Sequence, residues 1–207
     1  MLTDIFPRLA GAFLPHVISR GSEKGVYLTF DDGPDPIYTP TILDLLAQLD
    51  VKTTFFVLGS AGVEYPEIII KAAAEGHTIG IHGWHHRYMT FKSEASARDE
   101  LIRCHEQLVR LTSNPIRYFR PPHGHIGIGL QRAVDALGLT TILWSYSPGD
   151  WKISNTRTKL AQLISTHRDD GEIILLHSAG GNARETLLAL EIALPKMLDD
   201  GVKFYPL

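Results

Sequence analysis

The sequence predicts one α/β domain of parallel strands, arranged either as a βα barrel or as a doubly wound sheet. Short apolar or β-branched runs alternate with longer helical patterns, which is the order of repeated βα units. Gly76, Gly138, Gly171 and Gly201 stand where a helix passes into the next strand, as expected of residues that tolerate a left-handed helix end. No linker, internal repeat or low-complexity tract divides the 207 residues, and a 44% hydrophobic content suffices for one core.

Seven runs are candidate strands. They are Val26 to Phe30, Thr53 to Leu58, His77 to Ile81, Tyr118 to Phe119, Thr140 to Trp144, Ile173 to Leu176, and Val202 to Tyr205. Helical patterns lie between them. An apolar stripe within residues 42–49 follows Thr39-Pro40, which suits an N-cap and a first helical position, and Pro66 similarly precedes the pattern over Glu67 to Glu75.

Charge and cysteine content exclude other classes of protein. The formal net charge is -3 and no cluster of Lys or Arg stands out, so the sequence has no electrostatic footprint for nucleic acid. The single cysteine, Cys104, cannot form an internal disulfide. It lies in an apolar series of helical spacing, and we therefore expect it to pack in the core.

The amino terminus shows no recognisable export signal. No run approaches the roughly 18 apolar residues of a membrane span, and no charged segment precedes a signal-type apolar block. We therefore expect a cytoplasmic protein for the sequence as it stands, and an extracytoplasmic one if the native start lies upstream. We interpret residues 1–25 as an extension packed on the domain formed by residues 26–207. The apolar stripe from Leu2 to Phe13 leaves a membrane-surface contact through residues 2–14 as the alternative.

Two adjacent carboxylates are the most informative feature of the chain. Asp31 and Asp32 follow the first candidate strand, within Thr29-Phe30-Asp31-Asp32-Gly33-Pro34. Neighbouring carboxylates at the end of a buried strand repel each other and lose solvation, a cost tolerated where a cation or a proton transfer uses them. Asp, Gly and Pro also favour surface turns, so a simple turn remains open on this motif alone.

Other unusual polar residues also follow candidate strands. His82 and His86 follow the third strand, Arg120 the fourth, Asp150 the fifth and His177 the sixth. Taken singly, the arginine could be a surface charge and the last histidine a satisfied core residue. In parallel α/β folds the carboxyl ends of the strands meet on one face, where catalytic groups collect. We therefore expect these side chains to meet the two aspartates.

The run from His82 to His86 has the spacing of metal ligands, because side chains four apart on a helical turn share one face. Ten histidines in the chain should give roughly 0.5 such pairs by chance, so the pair by itself is weak evidence. With Asp32, however, the pair offers two imidazoles and a carboxylate, which leaves room for water and substrate as in catalytic zinc sites. Water on such a cation is the implied nucleophile.

These residues give the chain a resemblance to the polysaccharide deacetylase family, the carbohydrate esterase group with the NodB homology domain. The resemblance spans residues 26–207 and rests on five motifs in order. The motifs are Thr29 to Pro34, His82 to His86, Arg120-Pro121-Pro122-His123-Gly124, Asp150-Trp151, and Leu175-Leu176-His177. It implies a distorted, TIM-like (β/α)7 barrel, in agreement with the count of candidate strands.

The resemblance implies a metal-dependent hydrolase that removes the N-acetyl group from an amino sugar in a chitooligosaccharide- or peptidoglycan-like substrate. Asp31 would be the general base, kept ionised by Arg120. His177 would be the general acid that protonates the leaving amine, and Asp150 would orient it or stabilise its charge. The implied reaction is therefore hydrolysis of an amide by water on the cation.

Binding roles follow from the same resemblance. The metal ligands would be Asp32, His82 and His86, holding one divalent ion, with zinc expected and cobalt or nickel also compatible. The backbone N–H of His123 would help to hold the oxyanion. Trp151 and Leu175 would line the pocket for the acetyl methyl group.

The sequence departs from the family pattern at four positions. Gly83 replaces a Ser or Thr that steadies the metal-binding loop, and His123 replaces a Tyr in the groove wall. Ser147 and Ser178 stand where many members have acidic residues. None of these changes removes a group that the mechanism needs, but the histidine alters the shape of the groove.

Other functions compete with this hypothesis. The same scaffold could hydrolyse an N-formyl sugar or a small non-sugar amide, and a catalytically silent carbohydrate-binding module is a further alternative. Such a module is expected to lose the base or the acid, whereas Asp31 and His177 are both present. A nucleotide or serine-hydrolase function lacks support, because Gly124 to Gly129 has the wrong glycine spacing and no Gly-x-Ser-x-Gly elbow occurs.

Overall fold

A computed structural model describes residues 17–207, which fold around one seven-stranded parallel sheet in the order β1-β6-β5-β4-β3-β2-β7. The strands are β1 (Val17–Ile18), β2 (Val26–Asp31), β3 (Thr54–Val57), β4 (Thr78–Ile81), β5 (Tyr118–Phe119), β6 (Thr140–Ile142) and β7 (Glu172–His177). The helices are α1 (Tyr38–Gln48), α2 (Gly59–Glu64), α3 (Pro66–Ala74), α4 (Glu94–Thr112), α5 (Ile128–Ala136), α6 (Arg157–Thr166) and α7 (Ala183–Asp199), with a 3₁₀ turn at Pro122–Gly124.

The sheet curls into a half-barrel, and two isolated bridges connect its two ends. Strands β2 to β6 are neighbours in sequence order, as in a barrel rather than a doubly wound sheet. Beyond β6, Tyr146 forms a parallel bridge with Ile174 of β7, and Arg20 forms an antiparallel bridge with Glu172. The prediction of a single distorted α/β barrel is therefore confirmed.

Alternation along β2 and β7 directs polar side chains to the inside of the barrel. Leu28 and Phe30 of β2 belong to the core beneath the outer helices, whereas Tyr27 belongs to the inner cluster. Because successive side chains of a strand point to opposite faces, Asp31 lies on the inner side. The register pairs Asp31 with His177, the last residue of β7. The ends of these two strands thus place a carboxylate beside an imidazole.

Six candidate strands are present, one (Tyr118–Phe119) with the predicted bounds and five with shifted bounds. Val202 to Tyr205 is not a strand. Phe204 makes only an isolated parallel bridge to Val26. The reason is the register, since β3 pairs with β2 from Thr29 onward and β7 occupies the other edge. Only the first residues of β2 are left for the chain terminus. The seventh strand is instead β1, which the sequence pattern did not predict.

The amino-terminal predictions fall largely outside the described residues. Residues 1–16, including the apolar stripe of the proposed membrane contact, lie outside them, and the division at residue 26 stays a prediction. Val17–Ile18 pairs with β6, so the sheet includes residues before that division. Cys104 is fully buried in the core, as predicted, and its burial raises the pKa of the thiol to about 12. No helix within residues 17–207 is long and apolar enough to cross a membrane.

Candidate active site

A cavity of about 570 Å³ opens at the carboxyl ends of the strands and collects the predicted side chains. Those lining it are Asp31, Asp32, His82, His86, His123, Asp150, Trp151, Leu175 and His177. Arg120 lies beside it, fully buried, and donates a hydrogen bond to Asp31. The structure thus brings together all the site residues predicted from the sequence.

Asp32, His82 and His86 form a group able to hold a metal ion. One ligand atom from each lies within 4.8 Å of the others. Asp32 Oδ1 is 3.5 Å from His82 Nε2 and 3.5 Å from His86 Nε2. Asp32 has a φ of 71°, an uncommon backbone conformation for a residue other than glycine, of the kind that clusters at functional sites.

His82 is oriented for coordination by its second nitrogen. Its Nδ1 lies 2.8 Å from the carbonyl oxygen of Arg120 and donates to it, which leaves the Nε2 lone pair directed at the aspartates. Burial is the main influence and lowers the pKa of His82, against the raising effect of Asp31 and Asp32. The imidazole is therefore neutral, which is the form that binds metals.

The donor set fits a divalent cation. Asp32 Oδ1 is buried and has no hydrogen-bond partner among the described residues, although a buried carboxylate oxygen normally has one. The imidazole nitrogens of His82 and His86 each lie 3.5 Å from this oxygen. A cation coordinated by all three atoms would complete the bonding of this oxygen.

Asp31 is held by Arg120 through one of its two oxygens. Arg120 Nη1 lies 2.8 Å from Asp31 Oδ1, while Oδ2 lies 3.6 Å from His82 Nε2, on the side of the ligand group. Burial by itself raises the pKa of Asp31. The charge and hydrogen bond of Arg120, together with the charge of His177, more than offset burial, so that the pKa lies below its ordinary value. The carboxylate is therefore ionised, with one oxygen free to accept a proton.

Each nitrogen of the Arg120 guanidinium donates a hydrogen bond in the barrel interior. Besides Asp31, it donates to Thr29 Oγ1 at 2.7 Å and to the carbonyl oxygens of Ile142 and Leu143. The guanidinium carbon also lies 4.2 Å from the centre of the Phe56 ring, a cation–π contact. This network fixes the position of the carboxylate.

His177 and Asp150 form a second hydrogen-bonded pair in the cavity. His177 Nδ1 lies 2.9 Å from Asp150 Oδ1, and the His177 backbone N–H donates to Oδ2 at 2.8 Å. With Nδ1 bound to the carboxylate, Nε2 is the nitrogen available to a substrate. Burial lowers the pKa of His177, but the charge and hydrogen bond of Asp150, with Asp31 and Asp32, raise it overall to about 9. The imidazole is therefore protonated at neutral pH.

Aromatic rings flank the cavity on two sides. Trp151 is 43% exposed and its ring meets that of His177 edge to face, with centroids 5.4 Å apart. On the other side, His123 stacks on Tyr88 with centroids 4.0 Å apart and contacts His86 at 4.2 Å. The histidine that departs from the family pattern is thus part of an exposed aromatic stack.

Several contributors to the site were not predicted from the sequence. Thr29 supports Arg120, Thr186 donates to Asp150 Oδ2 at 3.0 Å, and the Asn182 side chain donates to the Asp150 carbonyl oxygen at 2.6 Å. Tyr88 and Trp144 complete the aromatic surroundings. Thr29 could have been found, because it shares a strand face with Asp31. The other four are brought in by long-range contacts that leave no local pattern.

The raised pKa of His177 predicts how stability depends on pH in the metal-free protein. A folded-state pKa near 9 against an ordinary 6.5 contributes about 3 kcal/mol. This contribution is complete below about pH 6.5 and is lost as the pH rises through about 9. Urea unfolding across this range should show the decline. In Asp150→Asn the decline should shrink and move to lower pH, and an unchanged profile would contradict the pairing.

Comparison with known proteins agrees with this geometry. The family model described as polysaccharide deacetylase matches residues 19–142, more than half of the chain. A peptidoglycan-N-acetylglucosamine deacetylase of Bacillus cereus is 32% identical over 185 residues, which cover 88% of this chain and 86% of that protein.

Solved structures are similar over nearly the whole chain. The crystal structure of the Bc1960 peptidoglycan N-acetylglucosamine deacetylase in complex with a naphthalenyl N-hydroxybenzamide has a TM-score of 0.88 and 32% identity, covering 96% of this chain and 94% of that one. A family 4 acetyl xylan esterase from Clostridium thermocellum, in complex with a cobalt ion, has a TM-score of 0.81 and 31% identity, covering 87% of each chain. The protein is therefore a hydrolytic deacetylase, and the chain belongs to the polysaccharide deacetylase family with the NodB homology domain.

Proposed function

We propose that the protein removes the N-acetyl group from an amino-sugar residue of an oligo- or polysaccharide of the chitooligosaccharide or peptidoglycan type. The observation that carries the proposal is one cavity in which an ionised carboxylate, a three-ligand group and a protonated imidazole converge. Hydrolysis of an amide needs a base for the water and an acid for the amine. Both groups line the same cavity as the ligand group.

One divalent cation would be held by Asp32, His82 and His86. A mixed set of two imidazoles and one carboxylate with open positions suits zinc, and it also accepts cobalt or nickel. The bound ion would polarise the acetyl carbonyl and lower the pKa of water. The cobalt complex of the related xylan esterase supports a cation in this fold.

Asp31 would remove a proton from the attacking water. Arg120 occupies its Oδ1, so the proton goes to Oδ2, the oxygen that faces the ligand group. The guanidinium also prevents the base from taking up a proton before the reaction begins. A base whose pKa lies below its ordinary value is weaker but is ionised at every pH near neutrality.

His177 would donate a proton from Nε2 to the nitrogen of the leaving amine. Asp150 holds the opposite side of the ring and stabilises its positive charge. An amine leaves poorly without a proton, so this donation completes the cleavage of the amide bond. The backbone N–H of His123 has no acceptor among residues 17–207 and would help to hold the oxyanion.

The surroundings of the cavity favour a sugar over a small amide. Aromatic rings pack against the apolar faces of sugar rings, and Trp151 offers such a surface on one side and the Tyr88–His123 stack on the other. Leu175 and Trp144 line the cavity with apolar surface suited to the acetyl methyl. A silent binding module would not need the base and acid pairs, which are both intact.

A chelation and metal-readdition assay tests the proposal. The protein is stripped with a chelator and assayed with zinc, cobalt or nickel on N-acetylated oligosaccharides, an N-formyl sugar, acetylated xylan and a simple amide. We expect activity on the N-acetylated oligosaccharides to disappear on chelation and to return with the ion. Turnover of the simple amide alone would favour the small-amide alternative, and metal binding without any hydrolysis would favour the binding module.

A further inference from the structure

The loop that carries both histidine ligands, residues 82–86, is supported unequally. His82 has an outer partner, the carbonyl oxygen of Arg120. Within residues 17–207, no side chain or carbonyl hydrogen-bonds Nδ1 of His86. Ligating histidines almost always have such a partner, which fixes the orientation of the ring. Apart from the edge contact of its ring with His123, the position of His86 therefore depends on the backbone of the loop.

Helix α4 holds this loop through one carboxylate. Glu100 Oε1 accepts the backbone N–H of Trp84 at 2.9 Å, in the middle of the loop. Glu100 is only 17% exposed, and its Oε2 is paired with Lys92 Nζ at 2.8 Å. The carboxylate is thus fixed at both oxygens, one to the loop and one to the segment before α4.

Further contacts fix Trp84 from the other directions. Its carbonyl oxygen accepts the N–H of Ser60 at 3.0 Å. The guanidinium carbon of Arg103 lies 3.3 Å from the centre of the indole ring. A Cβ built at Gly59 would lie 2.5 Å from the same ring, so α2 packs directly against it. The residue midway between the two ligands is therefore immobilised.

The backbone conformation of Gly83 brings the loop close to the Glu100 carboxylate. Its φ is +83°, a conformation that a Ser or Thr rarely adopts, and a Cβ there would lie 3.3 Å from Glu100 Oε1. The chain thus lacks the side-chain hydroxyl at this position and has a carboxylate directly outside it.

We propose that Glu100 is a positioning residue that sets metal affinity, because it holds Trp84 and so keeps His86 directed at Asp32. The inference rests on the metal site of the proposed function. Glu100 lies outside the cavity and contacts no reacting group. Its loss should loosen the loop, weaken metal binding and leave the chemistry of the loaded site nearly unchanged.

The test is a zinc titration of the metal-free protein in competition with a chromophoric chelator. Glu100→Ala should weaken zinc affinity about 10-fold, the lower end of the 10- to 100-fold loss that follows removal of a ligand's own partner, because Glu100 acts on His86 through the loop backbone. Glu100→Gln keeps an oxygen acceptor for Trp84 and should restore most of the affinity. Asp99→Asn removes a neighbouring exposed carboxylate of the same helix and is the matched control, with affinity unchanged.

Two further measurements separate positioning from general destabilisation. At saturating zinc, Glu100→Ala should retain kcat and KM within about threefold of the parent, and the metal-free variant should unfold cooperatively. If that variant does not fold, Arg103→Gln, which removes the contact with the Trp84 ring, should still weaken zinc binding. Unchanged affinity in both folded variants would overturn the inference, whereas a parent protein that binds none of zinc, cobalt and nickel would overturn the proposed function.

Discussion

Asp31→Asn is expected to lower kcat about 10²- to 10⁴-fold, the usual contribution of a general base. The amide oxygen can still accept the hydrogen bond that Arg120 now donates to Oδ1. The amide nitrogen then occupies the position of Oδ2 and cannot accept a proton. Steady-state deacetylation of an N-acetylated oligosaccharide at saturating metal measures this effect.

The matched variant is Asp32→Ala, which removes the adjacent carboxylate. It takes away a ligand whose Oδ1 lies 3.5 Å from each imidazole nitrogen, so both metal binding and activity should be lost. Asp31→Asn should instead bind zinc within a few-fold of the parent protein. Full activity in Asp31→Asn would refute the assignment of the base, and loss of zinc from it would mean that Asp31 is itself a ligand.

Arg120→Met is expected to destabilise the protein by about 3–5 kcal/mol, the typical cost of removing one partner of a buried ion pair. Asp31 is 3% exposed and would remain charged in the barrel interior without its counter-ion. The oxygen of Thr29 and two carbonyl oxygens would lose their donor as well. Urea unfolding of the metal-free protein gives the difference in the free energy of unfolding.

Arg168→Met is the control for this prediction. Arg168 pairs with Asp200 at 2.6 Å, but the two side chains are 48% and 41% exposed, and such pairs contribute at most about 1 kcal/mol. The deficit of Arg120→Met should also shrink at acidic pH, because Asp31 then takes up a proton and its charge disappears. Equal destabilisation by both substitutions would contradict the account of Arg120 as a buried counter-ion.

Two segments show what local sequence patterns can and cannot predict about strands. The run Val26 to Phe30 is apolar and is followed by two aspartates. The structure has the predicted strand there, and both aspartates line the cavity at its end. Val202 to Tyr205 has equally good strand composition, yet both edges of β2 are occupied beyond its first residues. Local composition states what a segment can form, whereas pairing depends on which edges remain free.

The residues of the candidate site likewise include some that the sequence could predict and others that it could not. The placement of Asp31, Asp32 and the histidines after predicted strands sufficed to predict that they meet, because parallel strands end on one face. The contributions of Tyr88, Thr186 and Glu100 could not be predicted, since each acts across a contact between distant segments. Glu100 in particular has no special context in the sequence and becomes informative only when Trp84 lies against it.

By itself, the sequence determined the class of fold, the donor types of the metal-ligand group and the identity of the base and acid candidates. The fold class and the donor types follow from periodicity and residue chemistry, which are local properties of the chain. The roles of base and acid follow from the resemblance of the five motifs to the polysaccharide deacetylase family. Only the tertiary structure decided which oxygen of Asp31 is free, which nitrogen of His82 faces the ligand group and what holds the histidine loop. Those features depend on hydrogen bonds between residues far apart in sequence, and such bonds exist only once the barrel has curled and its strand ends have converged.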